Sequence, residues 1–146
     1  MELGLSGKSI MVAAASRGLG HGIARAVAGD GARVSIAAPT EPKIHEAAAA
    51  LREETGAEVI SSPFDARDPA SIEAWRNHTL EAFGTVDGLV VNAGGPPPGQ
   101  FDDFDDIAWQ AAFELTLMSA VRMIRACLLY TSDAADERSS VDLGGR

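Results

Sequence analysis

The residues whose types and spacing offer the clearest chemistry are Ser16-Arg17-Gly18-Leu19-Gly20. They lie between an apolar run, Ile10 to Ala15, and a segment in which Ile23, Ala24, Val27 and Ala28 recur at helical spacing. Strand, glycine turn and helix make the first half of a βαβ dinucleotide-binding unit. Glycines let the main chain approach a pyrophosphate closely, and the helix N-terminus offers free N–H groups and a partial positive charge. The same residues also serve a glycine-capped helix start that holds no ligand. Other polar groups read as structure. Asp102, Asp103, Asp105 and Asp106 fit a solvated helix start favoured by the macrodipole. His21, His45 and His78 are isolated, although His21 lies next to the glycine turn. Cys127 is the one cysteine, which excludes an intramolecular disulfide and a cysteine-cluster metal site.

These residues need elements to hold them. The pattern predicts strand one over 8–14 and helix one from Gly18 to about Ala28. Strand two covers 33–37. Thr40 caps the next helix, Pro42 falls in its first turn, Ile44, Ala47, Ala48 and Leu51 make its buried stripe, and Gly56 ends it. Strand three covers 58–62. Asp68-Pro69 is an N-cap with a first-turn proline for a helix that stops at Gly84. Strand four covers 86–91, and Asn92 to Gln100 is a Gly/Pro loop. The following helix starts among Asp102 to Asp106, with Trp109, Ala112, Phe113, Thr116, Leu117, Ala120, Val121 and Ile124 as its core face. Four strands alternating with four helices imply a parallel sheet with right-handed crossovers.

The length of 146 residues suits one domain with one core. No apolar run approaches transmembrane length, and the N-terminus lacks the charged-then-apolar pattern of an export signal. A net charge of −9 argues against nucleic acid and anionic membrane surfaces as partners. Cytoplasmic location is the expectation.

Ala13-Ala14-Ala15-Ser16-Arg17-Gly18-Leu19-Gly20 resembles the Thr-Gly-x-x-x-Gly-x-Gly loop of the short-chain dehydrogenases/reductases, with Ala13 and Ala14 standing for Thr and Gly. Asp87-Gly-Leu-Val-Val-Asn92-Ala93-Gly94 resembles the family's Asn-Asn-Ala-Gly segment, with Val91 in place of the first Asn. That resemblance implies that Asn92, Ala93 and Gly94 lie along the cofactor's adenine ribose and brace the central sheet. It also implies that Asp65, beside Ala66 just after strand three, accepts from the adenine amino group. Ala14, Ser16, Arg17, Gly18, Leu19 and Gly20 complete the expected cofactor site. Acidic residues after strand two mark NAD-type units. Here Ala37-Ala38-Pro39-Thr40 holds none, and Arg17 stands where similar reductases set a basic residue against a 2′-phosphate. Both points favour NADP over NAD.

The resemblance, closest to 3-oxoacyl-carrier-protein reductase-like members, covers residues 8–126. It implies hydride transfer between NADP(H) and a small-molecule carbonyl or alcohol, and a homo-oligomeric intact protein. The family's chemistry uses a Ser and a Tyr-x-x-x-Lys further along the chain. Here the lysines are Lys8 and Lys43, and Tyr130 has Ala134 four residues on. No catalytic residue is therefore assigned; Thr116 stands near the family's relay Asn. Gly94-Gly-Pro-Pro-Pro-Gly-Gln either walls a substrate pocket or connects elements rigidly. From Cys127 the sequence resembles a translated transposase-type sequencing adapter, so residues 127–146 are expected to be a non-native, disordered tail.

The expected fold class is α/β: a Rossmann-type, doubly wound parallel sheet, truncated after the fourth strand and its following helix. Residues 1–126 form a partial NAD(P)-binding domain. The expected parent is an oxidoreductase whose catalytic half is missing here. A non-catalytic, redox-sensing dinucleotide-binding module is the alternative, and a nucleotide-binding α/β domain of another family is a third.

Overall fold

The computed structural model describes residues 2–130. The chain runs β1 (Ser9–Ala13), α1 (Gly18–Gly29), β2 (Arg33–Ala38), α2 (Glu41–Thr55), β3 (Val59–Pro63), α3 (Pro69–Phe83), β4 (Gly88–Val90), α4 (Asp106–Phe113) and α5 (Ser119–Cys127). The four strands form one parallel sheet in the order β3-β2-β1-β4. β1 is central and buried along its whole length, because its side chains alternate between two covered faces. Ile10 and Val12 pack with Ala24 and Ala28 of α1 and with Ile44, Ala48 and Leu51 of α2. Met11 and Ala13 pack on the opposite side with Ile72 and Trp75 of α3 and Met123 of α5. The sheet is thus doubly wound, as the sequence pattern predicts.

Most local signals act as expected in the first three βα units; the exception is Thr40, which stands at the N-cap position of α2 but makes no side-chain cap hydrogen bond. Ile44, Ala47, Ala48 and Leu51 are the buried residues of α2, and Gly56 closes it in the left-handed region at φ +70°. Asp68 accepts from the Ala70 amide at the start of α3, and Gly84 ends that helix at φ +77°. A buried hydrogen-bond ring ties α3 to β2. The Trp75 indole donates to Ser35 Oγ over 2.9 Å, and Thr79 Oγ1 donates to the Trp75 carbonyl. Ser35, 2.7 Å from Thr79 Oγ1, completes the ring as donor to it. Every polar atom of the ring is satisfied, which is what makes its burial tolerable.

The last helix corrects two expectations. Residues 106–127 form a continuous rod interrupted by a π turn at Glu114–Met118. The stripe Trp109, Ala112, Phe113, Thr116, Leu117, Ala120, Val121, Ile124 is not its core face. Trp109, Phe113, Leu117 and Ile124 are about half exposed, at 50%, 45%, 52% and 48%. The buried positions are Ser119, Met123 and Cys127, spaced by four and facing α3 and β1. Periodicity identifies an apolar face but not whether anything covers it. β4 is a three-residue edge strand, and no described strand lies beyond it. Cys127 continues the buried spacing, with its Sγ 3.9 Å from Met11 Sδ, and Leu128–Tyr130 add a 3₁₀ turn. The expectation of disorder is therefore corrected for residues 127–130, while the rest of that tail, 131–146, lies outside the described residues. Burial pushes the Cys127 thiol up to about 11, leaving it a poor nucleophile. Among the described residues no helix is long and apolar enough to cross a membrane.

Ser35→Ala leaves the buried Trp75 N–H without its acceptor and is expected to destabilise the chain by about 1–3 kcal/mol. Urea midpoints check this. The double variant Ser35→Ala/Trp75→Phe should lose less than the two single losses combined, because the ring acts as a unit.

Candidate functional site

The site begins where β1 ends. Ala14 follows with φ +50°, and it is the one described non-glycine residue at positive φ. Gly18 opens α1 at φ +61°. Two residues on, Gly20 is buried so tightly that an added Cβ would stand 2.4 Å from the Ala14 carbonyl oxygen and 2.8 Å from Asn92 Nδ2. The Asn92 amide donates to the carbonyls of Ala13, over 3.3 Å, and Ala14, over 3.4 Å. The end of β4 is thereby tied to the turn after β1. Arg17, the N-cap of α1, is extended and makes no capping hydrogen bond. The first-turn N–H groups of α1 have no intrahelical partner and face outward with their positive dipole end.

Two adjoining clefts form a trench across the carboxyl ends of the strands. One, about 430 Å³, is lined by Ser16, Arg17, Gly18, Leu19, Lys43 and Asn92 among others. The second, about 280 Å³, shares Ala14, Pro39, Ala93 and Gly94 with the first and continues to Phe64, Asp65, Ala66, Arg67 and Leu115. The trench sits where the strand order reverses: the connections after β1 and β2 lead outward to β3, and the one after β3 crosses back to set β4 on the other side of β1. Open α/β sheets bind ligands at that switch point. A tight glycine cradle, an uncapped helix start and an elongated trench fit a dinucleotide.

Asp65 stands at the far end. Its Oδ1 accepts from the Arg67 amide over 2.9 Å and from Arg67 Nε over 3.1 Å, and its Oδ2 accepts from Arg67 Nη2 over 3.1 Å. The Arg67 side chain, then its amide, hold the Asp65 carboxyl below its ordinary value. This small stabilisation is complete above the ordinary carboxylate range and is lost as pH falls through the depressed value. A carboxylate has about four acceptor positions, so one remains on Oδ2 for a ligand's amino group.

The sequence matches the family described as short chain dehydrogenase over residues 8–138. The chain belongs to the short-chain dehydrogenase family. Among curated relatives, the ketoacyl reductase HetN of Nostoc is 31% identical over 124 residues, 85% of this chain and 43% of that protein. Among solved structures, L-sorbose reductase from Gluconobacter frateurii, complexed with NADPH and L-sorbose, superposes with a TM-score of 0.82 at 34% identity. The match covers 88% of this chain and 49% of that one. A short-chain dehydrogenase/reductase from Burkholderia phymatum in complex with NAD gives 0.82 at 27% identity, over 90% and 46% of the respective chains. The chain spans about half the length of the curated relatives it matches.

In this short-chain dehydrogenase the trench gathers Ala14, Ser16, Arg17, Gly18, Leu19, Asp65, Ala66, Asn92, Ala93 and Gly94. Gly20 lies beneath them as the packing contact rather than as lining. Thr116 lines neither cleft, and its hydroxyl donates to the Ala112 carbonyl over 2.6 Å within the π turn. The triple-proline loop leaves the trench after Gly94. Pro96 and Pro97 close a separate apolar cavity of about 110 Å³ against Phe104, Ala108, Trp109 and Ala112. The histidines line neither cleft: His21 Nδ1 lies 3.3 Å from the Ala15 carbonyl oxygen behind the glycine turn, His45 hydrogen-bonds Ser61, and His78 hydrogen-bonds Ser62. Sequence reasoning missed Lys43, Phe64, Arg67 and Leu115. Phe64 and Arg67 flank Asp65 in sequence, so the strand-end rule could have found them. Leu115 and Lys43 are brought in by helix placement.

Gly20→Ala must displace backbone and is expected to cost about 2–4 kcal/mol. Ala14→Gly relieves a left-handed alanine but loosens the unfolded chain, for a net gain of roughly 0.5 kcal/mol. Thermal or urea unfolding of the two variants should move in opposite directions.

Proposed function

We propose that this chain is the cofactor-binding half of an NADP-dependent oxidoreductase that moves hydride between the nicotinamide and a small carbonyl or alcohol substrate. The observation that carries the reading is the trench itself, with its glycine cradle at one end and Asp65 at the other. Bound NADP(H) supplies the hydride donor or acceptor. The main chain of Ser16 to Gly20 takes the pyrophosphate at the start of α1. Asn92, Ala93 and Gly94 bound the adenine ribose, and Asp65 accepts from the adenine amino group. Solved neighbours hold NADPH in one case and NAD in another. The choice of NADP rests instead on Arg17 and on the lack of an acid in Ala37-Ala38-Pro39-Thr40.

The reactive groups belong to the rest of the parent protein. The relatives are about twice as long as the aligned part, and this chain carries no Tyr-x-x-x-Lys. The chain alone turns over no substrate, and the intact protein is a cytoplasmic homo-oligomer. Residues 1–126 are the domain's own sequence, and 127–146 are not encoded by the parent gene. The uncropped nucleotide read tests these bounds. A downstream Ser and Tyr-x-x-x-Lys in frame after codon 126 supports the enzyme, and a coding frame without them supports a redox sensor.

Binding is tested by fluorescence titration with NADPH, NADH and ATP. NADPH should bind tightest and ATP weakest. Asp65→Ala should weaken NADPH about three- to tenfold, the worth of roughly one ordinary hydrogen bond of about 1 kcal/mol in an open cleft. Equal affinity for ATP and NADPH would place the trench among general nucleotide sites.

A further inference from the structure

We propose that Arg122 is a positioning residue for adenine recognition, joining the turn that carries Asp65 to the π turn that carries Leu115. The inference rests on the reading of the trench as a dinucleotide site with adenine at its Asp65 end. Arg122 lines neither cleft of the trench. It lines the groove between α3 and α5, with Arg76 and Arg125. Its part in binding is therefore indirect.

Two separate segments wall the far end of the trench. The loop after β3 supplies Phe64, Asp65, Ala66 and Arg67, and the π turn supplies Leu115. Arg122 Nη1 carries two hydrogens and directs one at each wall. It donates to the Arg67 carbonyl over 3.2 Å, 55 positions away in sequence, and to Glu114 Oε2 over 2.6 Å. Gln110 Nε2 donates to Glu114 Oε1 over 3.3 Å, so that carboxylate is held from two sides. The Arg122 and Glu114 side chains are 22% and 32% exposed, so water screens this pair less than a surface pair. Leu115 follows Glu114 directly, inside the turn where the regular helical bonding is interrupted. Among the described residues, no other hydrogen bond joins residues 64–68 to residues 106–127.

The bond to Arg67 acts on Asp65 through a rigid unit. The peptide group between Arg67 and Asp68 is planar, so fixing its carbonyl also fixes its N–H. That N–H, of Asp68, donates to the Asp65 carbonyl over 3.1 Å. The Asp65 N–H donates to Ser71 Oγ over 2.9 Å and holds the other side of the turn. The Arg67 guanidinium grips the Asp65 carboxylate from within the same turn, and both side chains are about half exposed. All these bonds order the turn internally. Arg122 supplies the anchor that sets it against Leu115. The chemistry that reads this placement is the group at C6 of the base. Adenine has an amino group there, which donates to a carboxylate. Hypoxanthine has a carbonyl there, which cannot. A site built around one hydrogen bond rejects the base that lacks it only while the acceptor is held in place.

The test is the affinity of the 146-residue chain for NADPH and its hypoxanthine analogue, with 5′-AMP and 5′-IMP as the smaller pair. The wild-type chain should favour adenine about three- to tenfold in each pair. Arg122→Met should bring that ratio below about twofold while thermal melts show a folded chain. Arg122→Lys, which keeps the charge and a donor, should restore part of it. In the Asp65→Ala background, Arg122→Met should leave the ratio where Asp65→Ala alone puts it, because the effect passes through that carboxylate. The inference is overturned if folded Arg122→Met keeps the wild-type ratio, or if it weakens both bases equally, as a merely structural arginine would. Should Arg122→Met fail to fold, Glu114→Ala carries the same test, and an unchanged ratio overturns the inference. If the wild-type chain shows no preference, or Asp65→Ala leaves the preference intact, the adenine reading itself fails and the inference falls with it.

Discussion

The structure depends on one close approach. The start of α1 lies so near the end of β1 that residue 20 cannot carry a Cβ: the Ala14 carbonyl occupies that space. Asn92 then bridges from β4 to the carbonyls of Ala13 and Ala14. Three segments separated by up to 79 positions in sequence thus meet at one point. The helix that follows has its N-terminus pinned over the sheet, and its uncapped N–H groups open into the trench. Loosening this junction would lose the cradle before it lost the sheet, because the two apolar layers lie on either side of β1 and are formed by other residues.

The rest of the site follows from topology. With β1 in the middle and the chain winding outward in both directions, the ends of β1 to β4 contribute adjacent loops to one edge. Each loop brings a different chemistry: main-chain donors and Arg17 after β1, a stretch without an acid lining the cleft after β2, a fixed carboxylate after β3, and a small, unobstructed turn after β4. The carboxylate is fixed because Arg67 grips it from two residues away. The apolar layers contribute rigidity. The ring of Trp75, Ser35 and Thr79 locks α3 to β2 through buried polar groups that have no other partners.

What could be read from the sequence was whatever is local. The stripe Ile44, Ala47, Ala48, Leu51, the stops at Gly56 and Gly84, and the Asp68 cap all follow from spacing and backbone preference within one element. The glycine loop and Asn92-Ala93-Gly94 were legible because each is a short run with its own geometry. The last helix was misread because Trp109, Phe113, Leu117 and Ile124 have a clear period but are only about half covered. Amphipathicity does not say which side is covered. Ser119 and Cys127, neither of them strongly apolar, line the face that α3 covers. Lys43 was missed as part of the cleft lining for a related reason: its place there depends on how α2 is set against the trench, and no pattern in residues 41–55 encodes that.

The central claim is that the main chain around Gly18 and Gly20, together with the ends of β3 and β4, forms one dinucleotide site. Amide chemical-shift mapping of the chain on addition of NADPH tests it most directly. The largest shifts should fall on residues 16–20, 65–66 and 92–94, three stretches that are distant in sequence and share the trench. Shifts confined to the groove between α3 and α5, or no saturable shifts from a folded chain, would contradict it.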